Sequence, residues 1–156
     1  MTQPTRPHEN PRDWYRGIWG KRQSDDDALF EVMCLQVFQA GLSWSMVLAR
    51  RDAFRNAFDG WRIDDVAAMG PQDVERLRLD PAIIRNRQKI EACIANARAV
   101  QGLRAEHGSF CRWFYEVLPG YELDALQRVL REKFRFMGPE IARMWLMASG
   151  RLVSDE

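Results

Sequence analysis

The sequence has few residues of the types that form disulfides or bind metal ions. Its 156 residues include three cysteines and two histidines. Cys34, Cys93 and Cys111 are far apart and each lies among apolar residues, so the spacing predicts neither a disulfide framework nor a compact ligand set. We therefore predict free, buried thiols and no metal cofactor.

Long hydrophobic runs are also missing. No apolar stretch approaches the roughly 18 residues that a membrane-spanning helix needs, and the first ten residues, MTQPTRPHEN, contain no apolar segment typical of a secretory signal. Because 46% of the residues are hydrophobic, the chain can still bury a core. We expect a flexible N-terminal arm over residues 1–12 and a single helical domain over residues 13–156, in the cytoplasm and without a membrane partner.

The signatures of several enzyme classes do not occur. The chain has no GxSxG, Walker loop, GxGxxG, HExxH or CxxC motif. Its histidines, His8 and His107, are not near a plausible nucleophile, so a catalytic triad is disfavoured. Serine or cysteine hydrolysis and dinucleotide chemistry therefore have no support in the sequence.

Positive charge is unevenly distributed, although the formal net charge is only +1. Arginine and lysine concentrate in residues 84–104 and 128–151, whereas acidic residues concentrate in residues 25–27 and 59–80. Arginine outnumbers lysine by 20 to 3, and its planar guanidinium binds phosphate in a bidentate manner. This pattern is compatible with a polyanionic partner, but an arginine-rich genome produces it equally well.

Apolar residues recur at helical spacing along the chain, and no period-2 alternation is present. The pattern predicts an all-α fold of about eight short helices. Their predicted starts are Ser24 or Asp25, Ser43, Asp64, Pro71, Pro81, Ser109, Leu123 and Gly138-Pro139.

The helix DDDALFEVMCLQVFQAG is apolar on nearly every side, which predicts that it is buried. Gln36 is the one polar residue on its inward stripe. A buried amide without a partner costs about 1–3 kcal/mol, so Gln36 needs one. Two interpretations are open: Gln36 is a core amide bonded to backbone, or it contacts a ligand at the floor of a pocket.

Aromatic residues cluster around this helix. Trp14, Tyr15 and Trp19 precede it, and Trp44 follows its Gly41 turn. Planar side chains beside a buried amide form a slot in which a flat heterocycle stacks. Aromatic clusters also occur simply as core packing, so this interpretation stays open as well.

The segment FRFMGPEIARMWLMASG has the features of an anion site. Gly138 followed by Pro139 leaves free N–H groups at a helix N-terminus, where a DNA phosphate could bind. Arg131, Lys133 and Arg135 lie just upstream and favour such binding, whereas Glu140 in the first turn opposes it.

Three blocks of the sequence together resemble the DNA-3-methyladenine glycosylase I family. They are LFEVMCLQVFQAGLSWSMVLARRDAFRNAF, IIRNRQKIEACIANARA and FRFMGPEIARMWLMASGRLVSD, and Trp19-Gly20 matches a Trp-Gly pair before the first block. The resemblance covers residues 14–155. It implies a helix-hairpin-helix DNA glycosylase fold of two lobes, with the damaged base flipped into a pocket between them.

The resemblance also implies roles for particular residues. Gln36 occupies the catalytic position where the family has a glutamate that contacts the base. Trp44 matches the stacking tryptophan, and the pocket tyrosine falls at Trp14, or at Tyr15 with a shift of one residue. The expected DNA-binding residues are those of the third block together with the basic cluster inside the second block: Arg85, Arg87, Lys89, Arg135, Met137, Gly138, Glu140 and Ile141.

Two departures from the family pattern affect chemistry. Gln36 can donate and accept hydrogen bonds, but unlike a carboxylate it neither neutralises a cationic base nor accepts a proton. The family's zinc site of two cysteines and two histidines has lost its ligands: the N-terminal cysteine is missing, Tyr15 stands for the first histidine, and Glu156 for the second. No cofactor is therefore expected.

Three functions are consistent with the sequence. The first is a glycosylase that excises alkylated purines such as 3-methyladenine from double-stranded DNA in base excision repair, without an obligate protein partner. The second is a protein that binds DNA lesions but has lost catalysis with the pocket glutamate. The third is a small helical protein that binds a free nucleobase, a nucleoside or a protein, without DNA.

Overall fold

The computed structural model describes residues 10–152, and this part of the chain contains ten α-helices and no strand. The helices are α1 (Pro11–Ile18), α2 (Asp26–Gln39), α3 (Trp44–Ala49), α4 (Arg51–Ala57), α5 (Ile63–Ala67), α6 (Pro71–Arg78), α7 (Arg87–His107), α8 (Phe110–Arg112), α9 (Leu123–Lys133) and α10 (Pro139–Ala148). A 3₁₀ turn at Asp59–Trp61 precedes α5, and a π-helical turn at Trp113–Val117 continues α8. None of the described helices is long and apolar enough to cross a membrane.

The first helix begins earlier than the sequence predicts. The Asn10 side chain accepts a hydrogen bond from the Arg12 amide at 2.8 Å, and Pro11 occupies the first helical position, where its missing N–H costs nothing. Pro11 and Arg12 therefore belong to a helix rather than to the expected arm. Residues 1–9 of that arm lie outside the described residues.

Two other helix boundaries differ from the prediction. The helix expected from Ser43 to Phe58 is divided at Arg50 into α3 and α4. The helix expected to open at Pro81 begins at Arg87, because the Asn86 side chain caps it by accepting a hydrogen bond from the Lys89 amide at 3.1 Å. The chain is thus divided into more helices than the eight expected, and they are shorter.

Helix α2 forms the centre of the core, with every residue from Leu29 to Phe38 buried. Its acidic N-terminus connects it to the surrounding helices. Asp25 caps α2 itself, Asp26 accepts hydrogen bonds from two amides at the start of α8, and Asp27 accepts one from the Ile63 amide at the start of α5. One acidic turn thus satisfies unpaired amides of three helices.

Helices α9 and α10 form a hairpin that packs against the rest of the core. Helix α10 contacts both α9 and α2. The connecting residues are fixed by Asn96 of α7, whose side chain accepts a hydrogen bond from the Arg135 amide at 2.8 Å and donates one to the Arg135 carbonyl at 3.1 Å. Both polar groups of one buried amide therefore fix the position of the hairpin.

The segment after α1 docks against the end of α10. The Gly20 amide donates to the Ala148 carbonyl at 2.9 Å. Gly150 has φ +70°, and a Cβ atom there would lie 2.7 Å from the Gly20 carbonyl oxygen. Only glycine allows both this backbone conformation and this close approach.

Candidate base-binding site

A cavity of about 340 Å³ opens at the surface between α1 and α3. Its walls are Arg12, Tyr15, Arg16, Trp19, Trp44, Ser45 and Leu48. Arg12, Tyr15 and Arg16 of α1 and its C-cap Trp19 follow the spacing i, i+3, i+4, i+7, which places them on one face of the helix. We call this space the aromatic cavity. Its volume is in the range that binds small flat ligands.

Three rings shape the aromatic cavity. Tyr15 and Trp44 stack with their centroids 4.7 Å apart and an interplanar angle of 27°, and Trp19 meets Tyr15 edge-on at 5.7 Å. Tyr15 and Trp44 are too close for another ring to insert between them. A planar ligand must therefore stack on an open face, or displace Tyr15 from Trp44.

Gln36 lies directly behind Tyr15 and is completely buried. Its Nε2 donates to the Tyr15 hydroxyl oxygen at 3.1 Å, and its Oε1 has no hydrogen-bond partner among the described residues. Burial raises the pKa of Tyr15 to about 12, and the Gln36 hydrogen bond offsets only part of this effect. The phenol is therefore neutral at physiological pH, and a polar acceptor is held unpaired behind it.

Trp14 does not line the aromatic cavity, so its expected role in base binding is corrected. Its ring is buried, and the guanidinium groups of Arg51 and Arg55 lie over it at 5.2 and 5.0 Å. The next residue on a helix points about 100° away, so only one of the two adjacent rings faces the cavity. The structure brings Tyr15, Trp19 and Trp44 together in the walls of the cavity, and their roles in base binding stay predictions.

The aromatic cavity has no carboxylate in its walls. Glu31, one turn before Gln36 on α2, is held by Arg55 in a bidentate ion pair, with Nε to Oε2 at 2.6 Å. Burial raises the pKa of Glu31, and Arg55 opposes that effect. Glu31 is therefore engaged inside the fold and is not available as a general base in the cavity.

The hairpin presents the expected amides at the start of α10. Helix geometry leaves the amides of Glu140 and Ile141 without partners inside the helix. Glu140 is neutralised by Arg143 at 2.5 Å, which removes most of its expected repulsion of an anion. Met137 is buried, so its side chain is not at the surface where DNA would bind. Gly138 is the N-cap of α10, and Arg135 is exposed.

The basic cluster inside the second block is not a uniform phosphate-binding surface. Arg85 is exposed, whereas Arg87 forms ion pairs with Glu75 and Glu91. Lys89 is buried and donates to the carbonyl groups of Phe38 and Ala40 at 2.9 and 2.7 Å.

The expected phosphate contact of Lys89 is therefore corrected. Its ammonium group binds the last carbonyls of α2, where the helix dipole also favours a cation. Burial lowers the pKa of Lys89. The side chain thus positions the end of the helix that carries Gln36.

Sequence reasoning missed the polar rim of the aromatic cavity and the clamp of the hairpin. Arg12 and Arg16 share the cavity-lining face of α1, and Ser45 and Leu48 face them from α3. The periodicity from Arg12 to Trp19 contains this signal, but it is hidden when residues 1–12 are taken for an arm. Asn96 carries no sequence signal, because its partner is the backbone of a residue 39 positions away.

The zinc site implied by the family does not fit the described residues. Tyr15, which the ungapped match with the family puts at the first histidine, lies instead where the pocket tyrosine is expected, and its hydroxyl is engaged with Gln36. No group of three or more histidine, cysteine or acidic side chains is arranged to bind a metal ion between residues 10 and 152. Glu156 lies outside this range.

Comparison with solved structures shows the class of protein to which this fold belongs. A solved structure of the 3-methyladenine DNA glycosylase I from Staphylococcus aureus, described for its recognition of 3-methyladenine, matches with a TM-score of 0.82 and 26% identity, covering 94% of this chain and 88% of that one. A tyrosine-to-phenylalanine mutant of 3-methyladenine DNA glycosylase I, in complex with 3-methyladenine, matches with a TM-score of 0.81 and 28% identity, covering 94% and 89%. The fold is that of an all-α DNA glycosylase.

Sequence comparison gives the particular family. Over 155 residues the chain is 37% identical to DNA-3-methyladenine glycosylase 1 of Escherichia coli strain K12, covering 88% of this chain and 82% of the relative. The methyladenine glycosylase family model matches residues 5–132. The chain belongs to the methyladenine glycosylase family, and both the family and the all-α fold expected from the sequence are confirmed.

Proposed function

We propose that this protein is a DNA glycosylase that excises alkylated purines of the 3-methyladenine type from double-stranded DNA in base excision repair. The observation that carries the proposal is the buried Gln36 amide, whose Nε2 donates to the hydroxyl of Tyr15 in the wall of an open aromatic cavity and whose Oε1 has no partner among the described residues. A flipped purine would stack on Trp44 and present a donor edge towards the Tyr15–Gln36 pair. Stacking of this kind is worth about 1–3 kcal/mol per base, which helps offset the cost of flipping.

The chemistry suits a base that already carries a positive charge. Such a base leaves as a neutral molecule when the N-glycosidic bond breaks, so no side chain has to protonate it. The cavity walls contain no acid that titrates near neutral pH, since Tyr15 has a pKa of about 12. Gln36 would orient the base rather than transfer a proton, and the stacked rings would hold it while water attacks the sugar.

The hairpin would hold the DNA backbone while the base is flipped. The free amides at the start of α10 would bind a phosphate, with Arg135 and Arg85 beside the strand. Proteins of this activity work where the chromosome is, so we place the protein in the cytoplasm.

A second function, binding of lesions without hydrolysis, is favoured by one observation. Gln36 carries no charge, and Glu31 is committed to Arg55. The site therefore has no carboxylate to stabilise positive charge on the base or on the sugar.

Base release from methylated DNA tests both functions. Protein in excess is incubated with DNA treated with a simple methylating agent, and the freed bases are identified by chromatography. We expect 3-methyladenine to be released, and the Trp44→Ala variant to lose most of this activity while unfolding at the same temperature. Tight binding of the methylated DNA without release of any base would instead establish the lesion-binding function.

The Gln36→Glu variant sharpens the test. If the natural protein is an enzyme, the added carboxylate modifies an existing rate, whereas in a lesion-binding protein it creates activity from none. Gln72→Glu on the exposed face of α6 adds the same charge away from the cavity and is the matched control.

A further inference from the structure

The rim of the aromatic cavity carries two arginines, and no carboxylate is among the described residues that line it. Arg12 and Arg16 line the cavity from successive turns of α1. Arg12 donates to a neutral group, the Ser45 hydroxyl on α3, at 2.6 Å. Arg16 has a side chain that is 81% exposed, and its contact with Asp13 is loose at 3.9 Å. Both guanidinium groups can therefore accept a new anionic partner.

Many other arginines of the fold are already committed. Arg55 pairs with Glu31, Arg143 pairs with Glu140, and Arg98 donates to two backbone carbonyls. Two like charges four residues apart on a helix destabilise it slightly unless an anion lies between them. The arrangement of Arg12 and Arg16 is therefore typical of a binding group rather than of a structural one.

We propose that Arg12 and Arg16 bind a phosphate group of the DNA strand next to the flipped nucleotide. The proposal rests on the proposed function. A purine stacked on Trp44 keeps its sugar and phosphates at the mouth of the cavity, because the strand continues outside. The two guanidinium groups lie at this mouth, and arginine binds phosphate oxygens through paired hydrogen bonds. The cavity thus recognises a nucleotide, with rings for the base and arginines for the backbone.

The experiment compares the double variant Arg12→Gln/Arg16→Gln with the natural protein. Binding is measured by fluorescence anisotropy for a duplex with one tetrahydrofuran abasic site and for the same duplex undamaged, over a series of salt concentrations. Binding of free 3-methyladenine is followed by tryptophan fluorescence. Arg62→Gln/Arg112→Gln removes two exposed charges elsewhere and is the matched control.

We expect the double variant to bind the abasic duplex about tenfold more weakly, with a log–log salt dependence shallower by roughly 1–2 units. The undamaged duplex should lose much less affinity, and the affinity for free 3-methyladenine should stay unchanged. The control variant should match the natural protein on the abasic duplex.

Other outcomes overturn the proposal. Equal losses for both duplexes would show that the arginines attract DNA without regard to the flipped nucleotide, and no loss would show that no phosphate binds there. Failure of the proposed function looks different: the natural protein then releases no base and does not distinguish the two duplexes, whatever the arginines do.

Discussion

Two buried side-chain amides, Asn96 and Gln36, differ in how completely they are hydrogen-bonded. Asn96 belongs to the region that supports the hairpin, and Gln36 belongs to the region of the aromatic cavity. Asn96, on α7, uses both polar groups of its side chain to bind the backbone of Arg135, so the hairpin is fixed. Gln36, on α2, uses only its Nε2, which bonds to Tyr15 in the wall of the aromatic cavity, and its Oε1 has no partner among the described residues.

This difference in hydrogen bonding distinguishes an amide with a structural role from one that is suited to bind a ligand. A buried amide that is fully paired stabilises the fold, whereas one that keeps an unpaired group carries a cost that a ligand can remove. The same distinction applies to cations. Lys89 is paired in the interior and supports α2, whereas Arg12 and Arg16 remain available at the surface.

The largest expected effect is a loss of stability when the fully bonded amide, Asn96, is removed. Asn96→Ala leaves the Arg135 amide and carbonyl without their side-chain partner, and we expect the free energy of unfolding to fall by about 2–3 kcal/mol. Urea unfolding followed by circular dichroism measures it. Affinity for undamaged duplex should fall as well, because the hairpin loses its anchor. A variant of unchanged stability would show that Asn96 does not clamp the hairpin.

The next effect concerns the end of the helix that carries Gln36. Lys89→Met keeps the apolar stem but removes the ammonium group from the Phe38 and Ala40 carbonyls, so we expect a loss of about 1.5–2.5 kcal/mol in unfolding free energy. The salt dependence of DNA binding should not change. A shallower salt dependence with normal stability would restore Lys89 as a phosphate contact.

A smaller effect on stability is expected when Gln36, the incompletely bonded amide, is replaced. Gln36→Leu removes one hydrogen bond to Tyr15 together with the unpaired carbonyl, so stability should change by less than about 1 kcal/mol. Base release should nevertheless fall by about tenfold, since each 1.4 kcal/mol is worth a factor of ten. A marked loss of stability with base release intact would make Gln36 a structural amide like Asn96.

The smallest expected effect is that of pH. The folded pKa of Tyr15 is raised from 10 to about 12, so the stability gained by burying the neutral phenol is fully present below pH 10 and is lost as pH rises through about 12. Base release should therefore stay constant between about pH 7 and pH 9, where this phenol does not titrate. A steep change in that range would reveal a titrating group that the cavity walls do not contain.

The sequence predicted the parts of this structure that depend on local pattern. Helical periodicity indicated an all-α fold, the apolar surroundings of Gln36 placed it inward, and Trp44 followed from its position after the Gly41 turn. It left Trp14 and Tyr15 as alternatives, because a shift of one residue turns a side chain by about 100° around the helix. Only the packing of α1 against α3 decides between them.

The remaining errors come from contacts between distant parts of the chain. Lys89 looks like a surface charge in its own segment, but it lies within reach of carbonyls 49 and 51 residues earlier. Arg12 was assigned to an arm because the composition before it is polar, although Asn10 and Pro11 start a helix. Composition describes the neighbours in sequence, whereas burial depends on neighbours in space.

The contact between Gly20 and Gly150 makes position 150 sensitive to substitution. Any side chain at position 150 would meet both an unfavourable backbone angle and the Gly20 carbonyl. Such a substitution would push the two chain segments apart and loosen α1, and with it Tyr15 and Trp19, without touching the cavity. Mutational surveys should therefore find position 150 intolerant to change, although Gly150 is not among the residues that line the aromatic cavity.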